Sequence, residues 1–411
     1  MDRIAVDARY LKREGIGISR YIDLAIRELA DLDAETILLT DDPGHARTLI
    51  QRYPRVRAIS LSSRSGFLWE QLRLRKHLRQ AGYSAYIAPA NYGIPLARAG
   101  HTRLMVVIHD LIPLRLPHLY LARKPLWAVK YLISLMIVAI RADSLVAVSH
   151  STADDIRRLL YRRDPRVAYP IIPERASPCP ATEQARTCAH DPTRLGDYIL
   201  YNGGSDVRKN VPVLIRAFAG LRREAADIDL VILGDGYGSF AKLIEACGVS
   251  DHVHLLGYVD ESTKSAIVAH ALTMIYPSRL EGFGLPILEA LQAGLPVVTG
   301  TKGALREIAG DAGIYVEPIN EHTLKDAILF AITPTARAEA KARSLDQLDR
   351  LRNRQLRESF TAAVTHMLSG DLHATASPAR RHYANHHAFA RASRRPVRKA
   401  VTSCHSGFLK L

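Results

Sequence analysis

Short apolar runs of strand length alternate with amphipathic stretches of helical period twice along this chain, and a proline-rich break parts the two series. That alternation narrows the fold more than any other feature, because strand–helix–strand units build a parallel sheet with helices on both faces. In the first series residues 4–8, 36–40, 56–61, 85–88, 104–110 and 144–148 read as strands, and 18–29 and 68–78 as helices. Ser149 opens a further helix, with Asp154 and Asp155 in its first turns, where the helix dipole favours them. Residues 169–194 hold five prolines and two cysteines and have little periodicity. Strands then resume at 198–201, 230–233, 253–256, 274–276, 297–299 and 314–316. The expected class is α/β, with two Rossmann-like doubly wound domains facing a cleft. The expected divisions are 1–170, a linker at 171–195, a second domain at 196–335, and helices at 336–370 that pack back across the domains. A length of 411 residues agrees with two cores rather than one.

The net charge of +15 is uneven: residues 371–411 carry +7 of it, with no apolar period, and are predicted to be a disordered basic tail. The moderately basic remainder suits an anionic ligand such as a nucleotide diphosphate, or an anionic membrane surface. No aromatic-plus-basic motif for nucleic acid is visible, so no specific nucleic acid is expected. The four cysteines form neither a zinc pattern nor a disulfide framework, which points to a reducing compartment. A strand-like run at residues 3–7 leaves no room for a secretory signal, so a cytoplasmic protein is expected. Residues 126–140 are the most apolar stretch, too short to span a bilayer, and are expected to form a buried helix. The 68–78 helix, with Trp69, Leu72, Arg73, Arg75, Lys76 and Arg79, could touch an anionic membrane or be an ordinary surface helix.

The richest chemistry lies in Tyr276-Pro-Ser-Arg-Leu-Glu-Gly-Phe-Gly-Leu-Pro-Ile-Leu-Glu289. It follows a strand, passes a glycine-bearing turn and opens a helix with Pro286 near its first position. Glu281 falls at the carboxyl end of the strand, where ligands bind in open α/β sheets. Gly282 and Gly284 permit close backbone approach. The helix start beyond them offers unpaired N–H donors, a seat for diphosphate. Glu289 lies early in that helix, so one carboxylate can face a sugar while the other reaches a ribose diol. Arg208-Lys209-Asn210 follows a strand and the double glycine Gly203-Gly204. An isolated Arg-Lys-Asn is an ordinary surface turn. Here the planar fork of Arg208 and the mobile charge of Lys209 suit phosphate. His109 falls at the carboxyl end of the apolar strand of residues 104–110, where ligands bind in open α/β sheets, although a lone histidine after an apolar run is more often a satisfied core residue.

With these motifs the chain resembles glycosyltransferase family 4, the mannosyltransferase-like group 1 glycosyltransferases of GT-B fold. The family carries Glu, seven residues, then Glu in such a setting, often with Gly-Phe-Gly after the first Glu. The likeness extends through residues 290–313 and spans residues 1 to about 365. It implies that Arg208 and Lys209 bind the donor diphosphate, with Phe283, Gly284 and Leu285 at the helix start. Glu281 and His109 are the implied catalytic residues, at the donor sugar, and Glu289 is implied to hold the ribose. Tyr258 and Val259 match a segment that contacts the base, and Gly15 and Gly17 a loop near diphosphate and acceptor. In the family Arg-Tyr often follows Gly-Ile-Gly directly; here Ile18 and Ser19 intervene before Arg20.

The resemblance implies a retaining hexosyltransferase with a nucleotide-sugar donor, GDP-mannose foremost. The acceptor would be a glycan or a lipid-linked oligosaccharide in surface polysaccharide synthesis. No metal or other cofactor is expected, because Arg208, Lys209 and the helix start would neutralise the leaving diphosphate in place of an ion held on an Asp-x-Asp triplet. Two other readings remain: a sugar-nucleotide epimerase on the same fold, which would turn over donor with no acceptor, and a non-catalytic nucleotide or nucleic-acid binder.

Overall fold

The computed structural model describes residues 1–12, 17–30, 32–63, 65–170, 196–224 and 227–369. The expected linker, Gly15 and the basic tail lie outside the described residues. Residues 1–370 form one compact unit.

Two parallel sheets carry the fold. The first is formed by β1 (Asp2–Asp7), β2 (Ala34–Thr40), β3 (Arg57–Ser60), β4 (Ala85–Ala88), β5 (Arg103–Ile108), β6 (Ser144–Ala147) and β7 (Arg166–Val167), in the spatial order 3-2-1-4-5-6-7. The second is formed by β8 (Tyr198–Asn202), β9 (Asp229–Leu233), β10 (Val253–Gly257), β11 (Thr273–Tyr276), β12 (Val297–Thr299) and β13 (Gly313–Tyr315), in the order 10-9-8-11-12-13. Both are the doubly wound sheets expected, and each expected strand lies within about two residues of an observed one.

The strands read as unbroken apolar runs because both of their faces are covered. Met105, Val106, Val107 and Ile108 of β5 are fully buried, each such side chain contributing about 1.5–3 kcal/mol. Strand order reverses between β1 and β4 in one sheet and between β8 and β11 in the other. At such a point adjacent connections leave in opposite directions and open a crevice at the carboxyl ends of the strands. The segments carrying Arg208 and Glu281 follow β8 and β11, the two strands at that reversal.

Two expectations need correction. The helix Pro125–Arg141 forms as expected but is buried on one face only: Tyr131, Leu135 and Val138 lie in the core, while Leu126 is 83% and Ile140 64% exposed. Hydropathy marks a segment as apolar without saying whether anything covers it. The 68–78 helix is a helical stretch from Gly66 to Ala81, widened to π geometry at Trp69–Leu74. Trp69 is fully buried, its ring 3.8 Å from the Arg9 guanidinium, so it cannot touch a membrane.

The carboxyl-terminal helices divide their contacts. Pro334–Arg357 packs on the second sheet's layer, where the Gln347 amide donates to the carbonyls of Glu307 (3.1 Å) and Ile308 (3.0 Å). Phe360–Ser369 returns to the first: Thr361 donates from its backbone and hydroxyl to Glu28 (3.1 Å each), and Arg103 donates to Leu368 O (2.6 Å).

Candidate active site

Glu281 is 7% exposed and lies among donors. Its Oε1 accepts from Ser278 Oγ (2.5 Å) and the Tyr276 hydroxyl (3.1 Å), and pairs with Lys209 Nζ at 2.7 Å. Its Oε2 faces Arg208 Nη2 at 3.4 Å. Burial alone would raise this carboxyl, but the charges of Lys209 and Arg208 outweigh it and hold Glu281 down at about 2. The side chain is therefore an anion pinned by two cations. Lys209 also sits 4.5 Å from the centre of the Tyr276 ring and donates to that residue's hydroxyl.

The local backbone explains how both cations reach one carboxylate. Asp206 caps the turn Val207–Lys209, accepting from Arg208 N at 3.0 Å, and its carboxylate lies 3.2 Å from Arg208 Nη1. Asn210 takes a left-handed conformation (φ 60°) and starts the helix Val211–Arg223. Arg279 N donates to Arg208 O at 2.8 Å, tying the β8 loop to the β11 loop. Arg208 keeps its Nε buried without a hydrogen-bond partner, a donor left unused by the protein's own groups.

Gly284 (φ 107°) turns the chain into the helix Leu285–Ala293. Glu289, the fifth residue of that helix, is held by three partners. Arg20 Nη1 lies 2.7 Å and Lys264 Nζ 2.9 Å from its Oε1, while Asn202 Nδ2 donates to Oε2 at 2.8 Å. Phe283 is buried edge-on to Tyr169, with ring centres 5.9 Å apart. A side chain on Gly17 would come within 3.5 Å of Leu285, so the first helix, Gly17–Leu29, begins against this turn.

His109 meets the same loop from the first sheet. A Cβ on Gly282 would lie 1.9 Å from the His109 carbonyl oxygen and 2.9 Å from Asp110 Cβ, so only glycine fits there. Ser149 Oγ and Thr152 Oγ1 both donate to Gly282 O, at 2.6 and 3.2 Å. His109 Nε2 lies 2.7 Å from the Pro89 carbonyl. A carbonyl only accepts, so Nε2 carries the proton and Nδ1 is left as an acceptor. Burial pushes the imidazole down to about 4, against the opposing pull of that carbonyl, and His109 is neutral near pH 7.

The structure thus gathers Arg208, Lys209, Glu281, Gly282, Phe283, Gly284 and His109 at one place, with Gly17, Leu285 and Glu289 along its edge. Tyr258 and Val259 stand apart: Tyr258 is 59% exposed and Val259 packs on the core. They connect inward through Gly257, whose carbonyl accepts from Gly234 N at 2.8 Å. Gly15 is outside the described residues.

Several participants went unnoticed in the sequence. Asp206 takes a hydrogen bond from the Tyr120 hydroxyl across the cleft (2.5 Å). Asn91, at φ 55°, accepts from His109 N at 2.7 Å and donates to Asp110 O at 3.2 Å, fixing the end of β5. An asparagine following Pro-Ala at a strand end was the available signal for this left-handed position. Two Asp-x-Asp triplets, Asp31–Asp33 and Asp227–Asp229, stand in the chain. The second opens β9 at its amino end, where Asp229 meets His252 (3.0 Å) and His254 (2.7 Å), at the opposite end of the strand from the crevice.

Residues 195–344 match the family model of group 1 glycosyl transferases, and residues 16–174 match that of Glycosyltransferase Family 4. The chain is 36% identical over 156 residues to the O-antigen chain mannosyltransferase B of Escherichia coli, covering 36% of this chain and 41% of that protein. It is 31% identical over 178 residues to an MMP alpha-(1->4)-mannosyltransferase of Mycolicibacterium hassiacum, covering 43% of this chain and 41% of the relative. Each match therefore spans well under half of the relative's length. Among solved structures, Anabaena HepE, crystallised with UDP and glucose, superposes with a TM-score of 0.66 at 16% identity, covering 90% of this chain and all of that one. With one family model on each sheet, the two together spanning both halves, the chain belongs to the group 1, family 4 glycosyltransferases.

Proposed function

We propose that this protein is a retaining hexosyltransferase that moves a sugar, mannose foremost, from GDP-mannose or a related nucleotide sugar to a glycan or lipid-linked oligosaccharide. The observation that carries this reading is the convergence of Arg208, Lys209 and the Gly284 helix start on one side of the crevice, with buried, ionised Glu281 among them. The two mannosyltransferase relatives support the choice of sugar. The structural likeness to a protein solved with UDP and glucose is in keeping with a nucleotide-sugar donor.

In this reading the chain's main work is electrostatic. Departure of a nucleoside diphosphate leaves a sugar with oxocarbenium character and a phosphate with growing negative charge. Arg208 and Lys209, fixed before the donor arrives, would stabilise that charge without reorganising. Glu281 would orient the sugar. Neutral His109, with Nδ1 free to accept, would take a hydrogen bond from a sugar hydroxyl rather than give one. The leaving phosphate would receive the acceptor's proton. The close approach of His109 and Gly282 would keep water from the donor. Glu289 would exchange its bond to Arg20 for the ribose diol. Cationic side chains would supply the charge that a metal provides elsewhere, and surface-polysaccharide synthesis would be the setting.

The test is a screen of nucleotide sugars that follows release of free nucleoside diphosphate with acceptor present or omitted, each with and without chelator. GDP release from GDP-mannose that needs acceptor and survives chelation is the expected result. Conversion of the donor to another nucleotide sugar with no acceptor would replace the transferase reading with an epimerase. Loss of activity in chelator would overturn metal independence.

A further inference from the structure

The His109 ring makes one hydrogen bond, from Nε2 to the Pro89 carbonyl at 2.7 Å. Its backbone is held on both sides: the N–H donates to Asn91 Oδ1 (2.7 Å), and the carbonyl accepts from Thr152 Oγ1 (3.3 Å). A bond at one ring nitrogen does not fix the plane of the ring, because the second side-chain torsion of histidine is broad and roughly two-fold. Tyr21, on the first helix Gly17–Leu29, supplies a further restraint. Its ring centre lies 5.0 Å from that of His109, with the two planes at 85°. That is the edge-to-face arrangement aromatic pairs favour, and it resists rotation of the imidazole about its bond to Pro89. Tyr21 is held in turn from the far end of the chain. Phe360 opens the helix Phe360–Ser369 with its ring centre 6.0 Å from that of Tyr21, again at 85°. Tyr21 and Phe360 are both buried. Two turns beyond Tyr21 on the same face, Glu28 accepts from Thr361 N and Oγ1 (3.1 Å each), so the start of the terminal helix is fastened to the first helix at two points. Its other end is fastened to β5, the strand that leads into His109: Arg103, the first residue of β5, donates to Met367 O (2.5 Å) and Leu368 O (2.6 Å). The Tyr21 hydroxyl is buried and has no hydrogen-bond partner, so the ring and not the hydroxyl makes these contacts.

We propose that Tyr21, backed by Phe360, is a positioning residue that holds the His109 imidazole with its Nε2 proton on Pro89 and its Nδ1 as the acceptor. The terminal helix thereby secures β5 at its beginning and, through Tyr21, the imidazole beyond its end. The consequence for turnover rests on the placement of His109 at the donor sugar proposed above, whereas the consequence for the imidazole does not. Without the Tyr21 ring the imidazole is free to turn, and Nδ1 meets the sugar in fewer of the bound complexes. The contacts of Arg208 and Lys209 with the nucleotide are untouched. The effect therefore falls on kcat and kcat/KM together and leaves the donor KM alone.

Nitrogen-15 NMR on full-length protein labelled at histidine reads the imidazole directly, with His109→Gln identifying its signals. Wild type should show the Nε2-protonated tautomer alone. Tyr21→Leu, which keeps an apolar side chain and loses the ring, should give averaged nitrogen shifts. It should also lower kcat by about tenfold, the most that one aromatic pair is worth, with the donor KM changed by less than about twofold. Phe360→Leu should move both readouts in the same direction by a smaller amount. Tyr21→Phe should keep both at wild-type values and raise the melting temperature, since it removes a buried hydroxyl without a partner. A lower melting temperature in Tyr21→Leu with the wild-type tautomer would make the residue part of the core only and overturn the proposal. Tyr21→Phe as impaired as Tyr21→Leu would also overturn it, because the hydroxyl would then carry the effect. Averaged shifts with wild-type kcat would uphold the positioning of the imidazole and take His109 out of the reaction. Should Tyr21→Leu fail to fold, Phe360→Leu decides: an unchanged tautomer overturns the proposal, and averaged shifts support it.

Discussion

Arg20 and Glu289, 269 residues apart, form an ion pair at 2.7 Å that ties the first helix of the amino-terminal sheet to the helix leaving the Gly284 turn. The pair is part-exposed on the Arg20 side, so its worth to stability is small, about 0–1 kcal/mol. Its significance lies in competition, because the carboxylate that would bind ribose is already engaged. Glu289→Gln should therefore raise the donor KM roughly tenfold with little change in kcat, the signature of lost uniform binding. Steady-state kinetics at varied donor would check this, and an unchanged KM would take Glu289 off the nucleotide side.

Removing charge from Glu281 has two separable effects. Glu281→Gln should cut turnover by about 10²–10³, the cost of removing one preorganised electrostatic group. It should also destabilise the fold by about 3 kcal/mol, because Lys209 is left buried and unpaired. Adding Lys209→Met to Glu281→Gln should recover much of the stability and none of the activity. Urea midpoints and initial rates on the three proteins measure both quantities. A fully active double variant would place the chemistry elsewhere.

The pH dependence of stability tests the charge of Glu281 independently. Its carboxyl is held near 2 in the fold, below its unfolded value of about 4.3. The stabilising contribution is therefore complete above about pH 4.3 and is lost as the pH falls toward 2. The stability gap between wild type and Glu281→Gln should be constant from pH 7 to 5 and shrink below that. A gap unchanged down to pH 3 would mean that the carboxylate is not held ionised.

His109 gives a slope in a higher window. Burial lowers it to about 4, whereas the unfolded imidazole titrates near 6.5. Between these values the unfolded chain binds the extra proton, so stability falls as the pH drops from about 6.5 to 4. His109→Gln, which keeps a donor for the Pro89 carbonyl, should flatten that part of the profile. An identical slope in the variant would contradict a neutral, buried His109.

Gly282→Ala tests the approach of the two halves. The added methyl would meet the His109 carbonyl at 1.9 Å, and backbone on both sides must shift. A displacement near 1 Å at reacting groups costs about 10²-fold in rate. The expected outcome is a loss of that order in kcat. Wild-type kinetics would show that the contact is not needed for turnover.

Much of this site could be read in the chain because its chemistry is local. Glu281, Gly284 and Glu289 share one strand–turn–helix segment, and the glycines mark where the backbone must turn. Arg208 and Lys209 were readable for the same reason, from the strand and double glycine before them. What escaped is what depends on distance: Arg20 on Glu289, Tyr120 on Asp206, and Glu307, which caps the helix His150–Leu159 from the other half by accepting from His150 N (2.9 Å) and Ser151 N (3.1 Å). No periodicity encodes a partner so far away. The exposed stripe of residues 126–140 escaped for a different reason, since the same apolar spacing serves a buried face or a bare one.

The return of the helix Phe360–Ser369 to the amino-terminal half means that the chain passes between the halves twice, once between residues 170 and 196 and once near Glu358 and Ser359. The second crossing adds to the side-chain ties between the halves, Arg20 to Glu289, Tyr120 to Asp206 and Glu307 to the start of the helix His150–Leu159, so both walls of the crevice are anchored to both sheets.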